Sequence, residues 1–164
     1  MDKFNELLAL LEKNEGSLLN FSRSYTHMGL HIKEGNVIEY KEYAPGAHSL
    51  SIFGEFNNWK RDEYQCKKNE FGFWSIQLQP KINTETGELE PLIKHNTLFK
   101  IHLTLANYKK EDRNPAWSKY LIQDKKSNLF NSLMWNPKDP YVFKYDRPPK
   151  PKSVRIYEAH VGMR

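Results

Sequence analysis

Val37 to Trp59 (VIEYKEYAPGAHSLSIFGEFNNW) reads as strand, turn, strand, turn, with an aromatic residue at the tip. Val37 to Tyr43 is rich in β-branched and aromatic residues, which favour strands. Pro45-Gly46 interrupts it with a turn. Leu50 and Ile52 then alternate with Ser49 and Ser51, the pattern of a half-buried strand, and Gly54 permits a bend or bulge inside it. Asn57-Asn58 makes a second turn and places Trp59 in a loop, where an indole needs a neighbour beneath it or a ligand above it. Phe71 to Leu78 alternates too: Trp74, Ile76 and Leu78 share a core-facing side, while Phe73, Ser75 and Gln77 share the other. Phe71 and Phe73 are thereby left outside beside Gly72, as a ligand surface or as a lid over a second small core. Leu98 to Leu105 is the clearest strand, with Phe99, Ile101, Leu103 and Leu105 pointing one way and Lys100, His102 and Thr104 the other. Lys100 is thus expected on the exposed face. Tyr120 to Ile122 predicts one more short strand.

Helical spacing governs the N-terminus. Phe4, Leu7, Leu8 and Leu11 predict a helix over residues 3 to 13, capped by Asp2 and ended by Gly16. A stripe this short needs a partner surface, so a packed terminal helix is expected. Gly16 to Asn36 reads as irregular, with Phe21 and Tyr25 as anchors. Lys60 to Glu70 and Pro80 to Pro91 are polar and loop-like, Ala106 to Asn114 is polar, and MWNPKDPYVFKY is extended because of its prolines. Asp146 to Lys152 is a proline-rich connector. Val154 to Val161, apolar on both faces, predicts a buried strand that opens another domain. The expected organisation is a helical segment over 1–36, a β-sandwich over 37–145, a linker over 146–153 and a first barrel-type strand over 154–164.

Composition narrows the chemistry. A chain of 164 residues suits one domain with an extension. The net charge of +5 is spread among interspersed acids and bases, a solvated surface rather than a nucleic-acid footprint. Cys66 is alone, so no internal disulfide forms, which suits a reducing compartment. There is no signal-peptide core and no run long enough to cross a bilayer, so no membrane association is expected and the cytoplasm is the default location. Six scattered His and one Cys build no metal-ligand spacing, and GxGxxG, GxxxxGK[ST] and GxSxG are absent, so neither metal nor cofactor is expected. Glu158 and His160 would share a strand face as a structural pair. What remains is Tyr43, Trp59, Phe71 and Phe73 in or beside turns, with Asn58, Glu70 and Lys100 near them in the pattern. Aromatic planes suit the C–H face of a glucose ring, and fixed polar groups suit its hydroxyls.

EYAPGAHSLSIFGEFNNW resembles the E-W-A-P-G-A … V-x-L-x-G-D-F-N-x-W signature of the starch-binding module (carbohydrate-binding module family 48) in eukaryotic glycogen and starch branching enzymes. ENEGSLLNFSRSYTHMGLH, NPAWSKYL, LMWNPKDPYVFKY and RPPKPKSVRIYEAHVGM resemble the flanking segments of that family, and IYEAHVGM resembles the first strand of its catalytic barrel. The resemblance runs from about Glu12 to Met163. It implies a mainly β fold: an immunoglobulin-like β-sandwich carbohydrate-binding module preceded by a helix and followed by a linker and the first strand of a (β/α)8 barrel absent from this chain. It also implies the N-terminal part of a 1,4-α-glucan branching enzyme, which forms α-1,6 branch points by retaining transglycosylation. The implied partners are an α-1,4-glucan (glycogen, starch or maltodextrin) and the catalytic barrel. The barrel's catalytic motifs lie outside these residues, so no catalytic residue is implied here. The glucan contacts it implies are Asn14 and Glu15; Tyr43, Ala44 and Pro45; Trp59; Glu70, Phe71, Gly72 and Phe73; and Lys100. Tyr43 stands where Trp is usual, Phe73 where Lys is usual and Glu55 where Asp is usual. The alternative is a freestanding glycogen-binding module serving regulation or targeting.

Overall fold

The computed structural model describes residues 2–162; Met1, Met163 and Arg164 lie outside the described residues. Helices α1 (Asp2–Glu15) and α2 (Leu18–Ser22) precede β1 (Gly29–Ile32), β2 (Ile38–Tyr43), β3 (Ala47–Gly54), β4 (Tyr64–Gln65), β5 (Lys67–Lys68), β6 (Phe73–Leu78), β7 (Lys81–Ile82), β8 (Leu89–Glu90), β9 (Leu98–Leu105), β10 (Lys110–Arg113), β11 (Leu121–Gln123) and β12 (Phe130–Leu133). Two antiparallel sheets result. One runs β1-β2-β6-β5, the other β11-β12-β9-β3-β4 with β10 also on β9, and β7 and β8 form a separate hairpin. The fold is an immunoglobulin-like β-sandwich, mainly β, as the sequence implied.

Alternation builds its core. Ile38 and Tyr40 of β2, Leu50 and Ile52 of β3, Trp74 and Leu78 of β6, and Phe99 and Ile101 of β9 form one buried cluster. Burying each large side chain is worth about 1.5–3 kcal/mol. β3 and β9 zip over their length, with Leu50 opposite Leu103 and Ile52 opposite Ile101. Cys66 also lies in the core, where burial pushes its thiol up to about 12. The thiolate, the reactive form, is thereby suppressed.

Several expectations change. β3 is not half-buried: Ser51 and Phe53 are each only 1 % exposed, like Leu50 and Ile52 on the other face. The loop after β3 folds back over its outer face. Arg61 lies 5.0 Å above the Phe53 ring, and the Ser51 hydroxyl donates to the Arg61 carbonyl. Lys100, opposite Phe53 on this face, is consequently half-buried rather than freely exposed. Gly54 makes no bulge. It is extended and in register with Phe99, and it is glycine because a Cβ would collide with the Leu98 carbonyl. The irregularity falls instead between Ala47 and Ser49, at His48.

The supposedly irregular stretch before Val37 contains β1, which pairs with β2, so the sheet begins at Gly29. β10 (KEDR) lacks any apolar residue and is invisible to pattern, yet it pairs with β9 through Lys110 to Arg113. Helix α1 forms, and Gly16 ends it with φ +80° and an N–H to the Glu12 carbonyl at 2.8 Å. The helix is not packed as expected: none of its residues is buried, and Phe4, Leu7 and Leu10 are exposed. Its main described contact is α2, whose five residues are too few to cover the stripe. Val154 to Val161 is not a strand. It carries no regular structure and is exposed, because no described strand runs beside it to complete a ladder. Its expected continuation to Arg164 lies partly outside the described residues.

Two polar ties fix the sandwich. The Glu42 carboxylate, 3 % exposed, accepts from the Tyr40 hydroxyl (3.1 Å), the Tyr43 amide (3.1 Å) and the Ala116 amide (3.0 Å). It thereby joins β2 to the loop that follows β10. Burial, then the neighbouring Glu42 charge, pushes the Tyr40 phenol up, so it stays a donor. On the other sheet, Arg61 grips Asp112 with Nε to Oδ1 at 3.0 Å and Nη2 to Oδ2 at 2.7 Å, while His102 Nδ1 lies 2.8 Å from Oδ1. The hydrogen bonds from Arg61 hold the Asp112 carboxyl below the usual carboxylate range, against a smaller opposing effect of burial.

Glu42→Ala strands three donors in the interior. It should destabilise the domain by about 3 kcal/mol in urea unfolding, with the denaturant slope unchanged. Asp112 has a depressed folded pKa, so the stability it contributes is present above the ordinary carboxylate value near ~3.9 and is lost as pH falls through the lower folded value. Asp112→Asn should flatten that part of the acid-unfolding profile.

Candidate functional site

Tyr43 and Phe73 are the outermost pair of the β2–β6 ladder, and both side chains point away from the core. Their rings lie 4.9 Å apart, tilted by 49°. Two turns lock together beyond this pair. The Ala44 amide donates to the Gly72 carbonyl at 3.1 Å, and the Asn69 side-chain oxygen accepts from the Phe71 (3.0 Å) and Phe73 (2.9 Å) amides. Gly72 has φ +88°, and any Cβ there would sit 2.7 Å from Pro45 Cβ, so the position combines a left-handed backbone with a close approach. Trp74 Nε1 donates to the Ala44 carbonyl at 2.9 Å. Lys68 Nζ donates to the carbonyls of Pro45 (2.6 Å) and Ala47 (3.0 Å) while lying 5.5 Å over the Trp74 ring. The turn carbonyls are thus satisfied from within, and what the turns offer outward is ring surface.

Tyr43 and Phe73 form one wall of an open cleft of about 290 Å³. Phe21, His27 and Met28 line it from the segment before β1, Trp117 closes another side, and Glu15 at the end of α1 also borders it. Trp117 reaches this place because β1 offers no side chain at Gly29: a Cβ there would meet Trp117 Cβ at 2.8 Å. Glu42, holding both the Tyr43 and Ala116 amides, sets the two aromatic walls relative to each other. A largely apolar cleft with Glu15 as the acidic residue of its lining can take the flat C–H face of a ring, and a carboxylate is a group that accepts from a hydroxyl.

The residues singled out from sequence fall into two groups. Tyr43, Ala44, Pro45, Gly72 and Phe73 are contiguous through the interlocked turns, and Glu15 joins them across the cleft. Glu70 and Phe71 ride on the same turn, exposed, outside the cleft lining; Asn14 is likewise exposed and outside it. Trp59 and Lys100 are elsewhere. They lie at the Gly54 end of β3, on the outer face of the six-stranded sheet, whereas the Tyr43 cluster adjoins the Ala47 end and the outer face of the four-stranded sheet. β3 alone spans roughly 23 Å, so one sugar ring cannot touch both.

The second group is also rigidly built. Asn57, buried, accepts from the Gly54 amide at 3.0 Å and donates to the Lys60 carbonyl at 2.7 Å. Asn58 and Trp59 adopt successive left-handed conformations, and the Trp59 amide donates to the Gly54 carbonyl at 2.8 Å. The indole packs edge-on against Phe53, with ring centres 5.7 Å apart, and keeps part of its surface in solvent. Sequence reasoning missed His27, Met28 and Trp117. Phe21 was visible only as an anchor, and Trp117 only within NPAWSKYL, because neither sits in an alternating run. No group of His, Cys, Asp and Glu suited to a metal ion occurs among the described residues.

Comparison with known proteins bears on the family and the fold. Residues 27–118 match carbohydrate-binding module 48 (isoamylase N-terminal domain). The chain is 40 % identical over 152 residues to a 1,4-alpha-glucan-branching enzyme of Yarrowia lipolytica, covering 91 % of this chain and 21 % of that protein. It is 41 % identical over 153 residues to the Dictyostelium discoideum 1,4-alpha-glucan-branching enzyme, covering 93 % and 22 %, and 37 % identical over 167 residues to that of Solanum tuberosum, covering 99 % and 19 %. The chain therefore spans about a fifth of the length of the curated relatives it matches. Among solved structures, pullulanase type I from Bacillus subtilis shares the fold, with a TM-score of 0.50 at 15 % identity over 77 % of this chain and 15 % of that one. The match over more than half of its residues, on the same two-sheet scaffold, shows that this chain belongs to the carbohydrate-binding module 48 family.

Proposed function

We propose that this chain is the N-terminal, glucan-binding portion of a 1,4-α-glucan branching enzyme, a glycosyltransferase of glycogen or starch biosynthesis. It holds an α-1,4-glucan while a catalytic barrel, not among these residues, breaks and re-forms the glycosidic bonds. The observation that carries the reading is the Tyr43–Phe73 pair: two rings held outward by satisfied turns at the wall of a 290 Å³ cleft, in a chain of a carbohydrate-binding family. Its relatives' names supply the particular reaction. Tyr43 and Phe73 stack on sugar faces, Glu15 accepts a hydroxyl, and Ala44, Pro45 and Gly72 shape the turn that presents the rings. Glu70, Phe71 and Asn14 extend contact beyond the cleft. Trp59 and Lys100 bind another stretch of glucan on the opposite sheet. The replacement of the usual Lys by Phe73 exchanges a polar contact for a second stacking surface. No helix among the described residues is long and apolar enough to cross a membrane, and we place the working protein in the cytoplasm, facing glycogen or a soluble maltodextrin.

Tyr43→Ala and Phe73→Ala should each weaken maltoheptaose binding about fivefold to tenfold by calorimetry, with unchanged thermal unfolding; undiminished affinity in both would remove the cleft from the site. The 164-residue chain should bind glycogen with almost no dependence on added salt and leave the iodine spectrum of amylose unchanged. A steep loss of binding with salt would point to an electrostatic ligand instead, and an altered iodine spectrum would place branching chemistry within these residues.

A further inference from the structure

Tyr43 and Phe73 begin a row on the outer face of the four-stranded sheet. Alternation turns Ser75 and Gln77 of β6, and Lys41 and Glu39 of β2, the same way as the two rings. The register sets them in rungs, with Tyr43 opposite Phe73, Lys41 opposite Ser75 and Glu39 opposite Gln77. Lys67 of β5 extends the middle rung beyond Ser75. From Phe73 to Gln77 the row runs about 13 Å along the strand. This face is open: Ser75, Gln77 and Lys67 are exposed. The outer face of the six-stranded sheet is not, because the loop carrying Arg61 leaves Ser51 only 1 % exposed.

The open face is also hollow. Past Phe73 from the aromatic cleft lies a depression of about 250 Å³ that Lys41 and Ser75 help to line. Past Ser75 lies a larger one of about 440 Å³, bordered by Gln65, Lys67, Gln77 and Gln79. The cleft and the first depression share Phe73, and the two depressions share Ser75, so the three follow one another along β6. The chemistry changes on the way. The cleft is largely apolar, whereas beyond Phe73 the strand turns outward a hydroxyl and a carboxamide, Ser75 and Gln77, with the Gln79 carboxamide following. Each of these groups both donates and accepts. Glu39 lies 3.5 Å from Lys33 Nζ and 3.4 Å from Lys41 Nζ, so its charge is met within the face.

We propose that the Tyr43–Phe73 cleft continues into a polar subsite on β6, and that one linear α-1,4-glucan passes from the cleft over Phe73 with its next glucose units on Ser75, Gln77 and Gln79. The proposal rests on the glucan-binding reading above and extends it to residues outside those the resemblance implied. The ligand class follows from the order of surfaces: a ring face for the aromatics, then hydroxyls that donate and accept in turn. The cleft supplies stacking, and the strand beyond it supplies hydroxyl recognition. An oligosaccharide too short to leave the cleft gains nothing from the strand. Each hydrogen bond gained there by a longer chain raises affinity by about twofold to tenfold.

The test is NMR of the full 164-residue chain, reading backbone amides and glutamine carboxamides during titration with maltose and with maltoheptaose. Maltose should shift the Tyr43 and Phe73 amides alone. Maltoheptaose should also shift the Ser75 and Gln77 amides and the Gln77 and Gln79 carboxamides, all with one midpoint. The double variant Ser75→Ala/Gln77→Ala should weaken maltoheptaose binding by about threefold to tenfold and cause no loss for maltose. Both positions are exposed, so its thermal unfolding should match that of the parent chain. If the double variant binds maltoheptaose as tightly as the parent, or if the maltoheptaose shifts stop at Phe73, the polar subsite is overturned while glucan binding in the cleft stands. If shifts on β6 follow a different midpoint from those at Tyr43, the continuous chain is overturned. If neither sugar shifts Tyr43 or Phe73, both readings fall together.

Discussion

The Glu42 carboxylate is the constraint on which the cleft depends. It is taken out of water and compensated by the Tyr40 hydroxyl, the Tyr43 amide and the Ala116 amide. A buried acceptor of this kind is tolerated only when its lone pairs are met, and meeting them requires β2 and the loop after β10 to be in one relative position. That position sets Tyr43 and Trp117 as facing walls. The apolar surface that would hold a sugar is thus specified by a polar group beneath it, which touches no ligand itself.

Around this point the sandwich keeps three of its exposed rings in place by giving each a backing. Tyr43 leans on Phe73, Trp59 on Phe53 and Tyr108 on His48. An unsupported aromatic side chain would lose rotamer freedom on binding, whereas a backed one has lost it already on folding. Rigid secondary structure and satisfied turns thereby convert folding energy into preorganisation, which weak sugar stacking needs more than a deep pocket would.

Much of this was legible in the chain. The inward runs Leu50-Ile52, Trp74-Leu78 and Phe99-Ile101 are spaced at two, and each became core, joined by Ile38 and Tyr40 from a stretch legible only as strand-favouring. The outward placement of Phe73 follows from the same alternation, whereas Tyr43 was legible only as a residue beside a turn. Elements without an apolar period could not be read: β10 is four polar residues held by its ladder, and β1 is four residues long and opens on a glycine. The double-sided burial of β3 was hidden because the cover comes from Trp59 and Arg61, a tertiary event that no local pattern encodes. The two-sided division of the site was hidden for a related reason. Tyr43 and Trp59 are close in sequence, but the strand between them carries the chain to the opposite end and the opposite sheet. The segment Val154–Val161 shows the converse: it has the composition of a strand, and composition alone supplies no partner to pair with.

The additional residue at His48 acts as a phase shifter within β3. Before it an odd-numbered position, Ala47, faces the interior; after it the even-numbered Leu50 and Ile52 do. The strand's two halves are consequently decoupled in parity. A change that re-phases the Pro45 end can be absorbed at the bulge without rotating Phe53 away from Trp59. Evolution could therefore retune either end of this strand separately, altering the geometry near Tyr43 while the opposite end keeps its alignment.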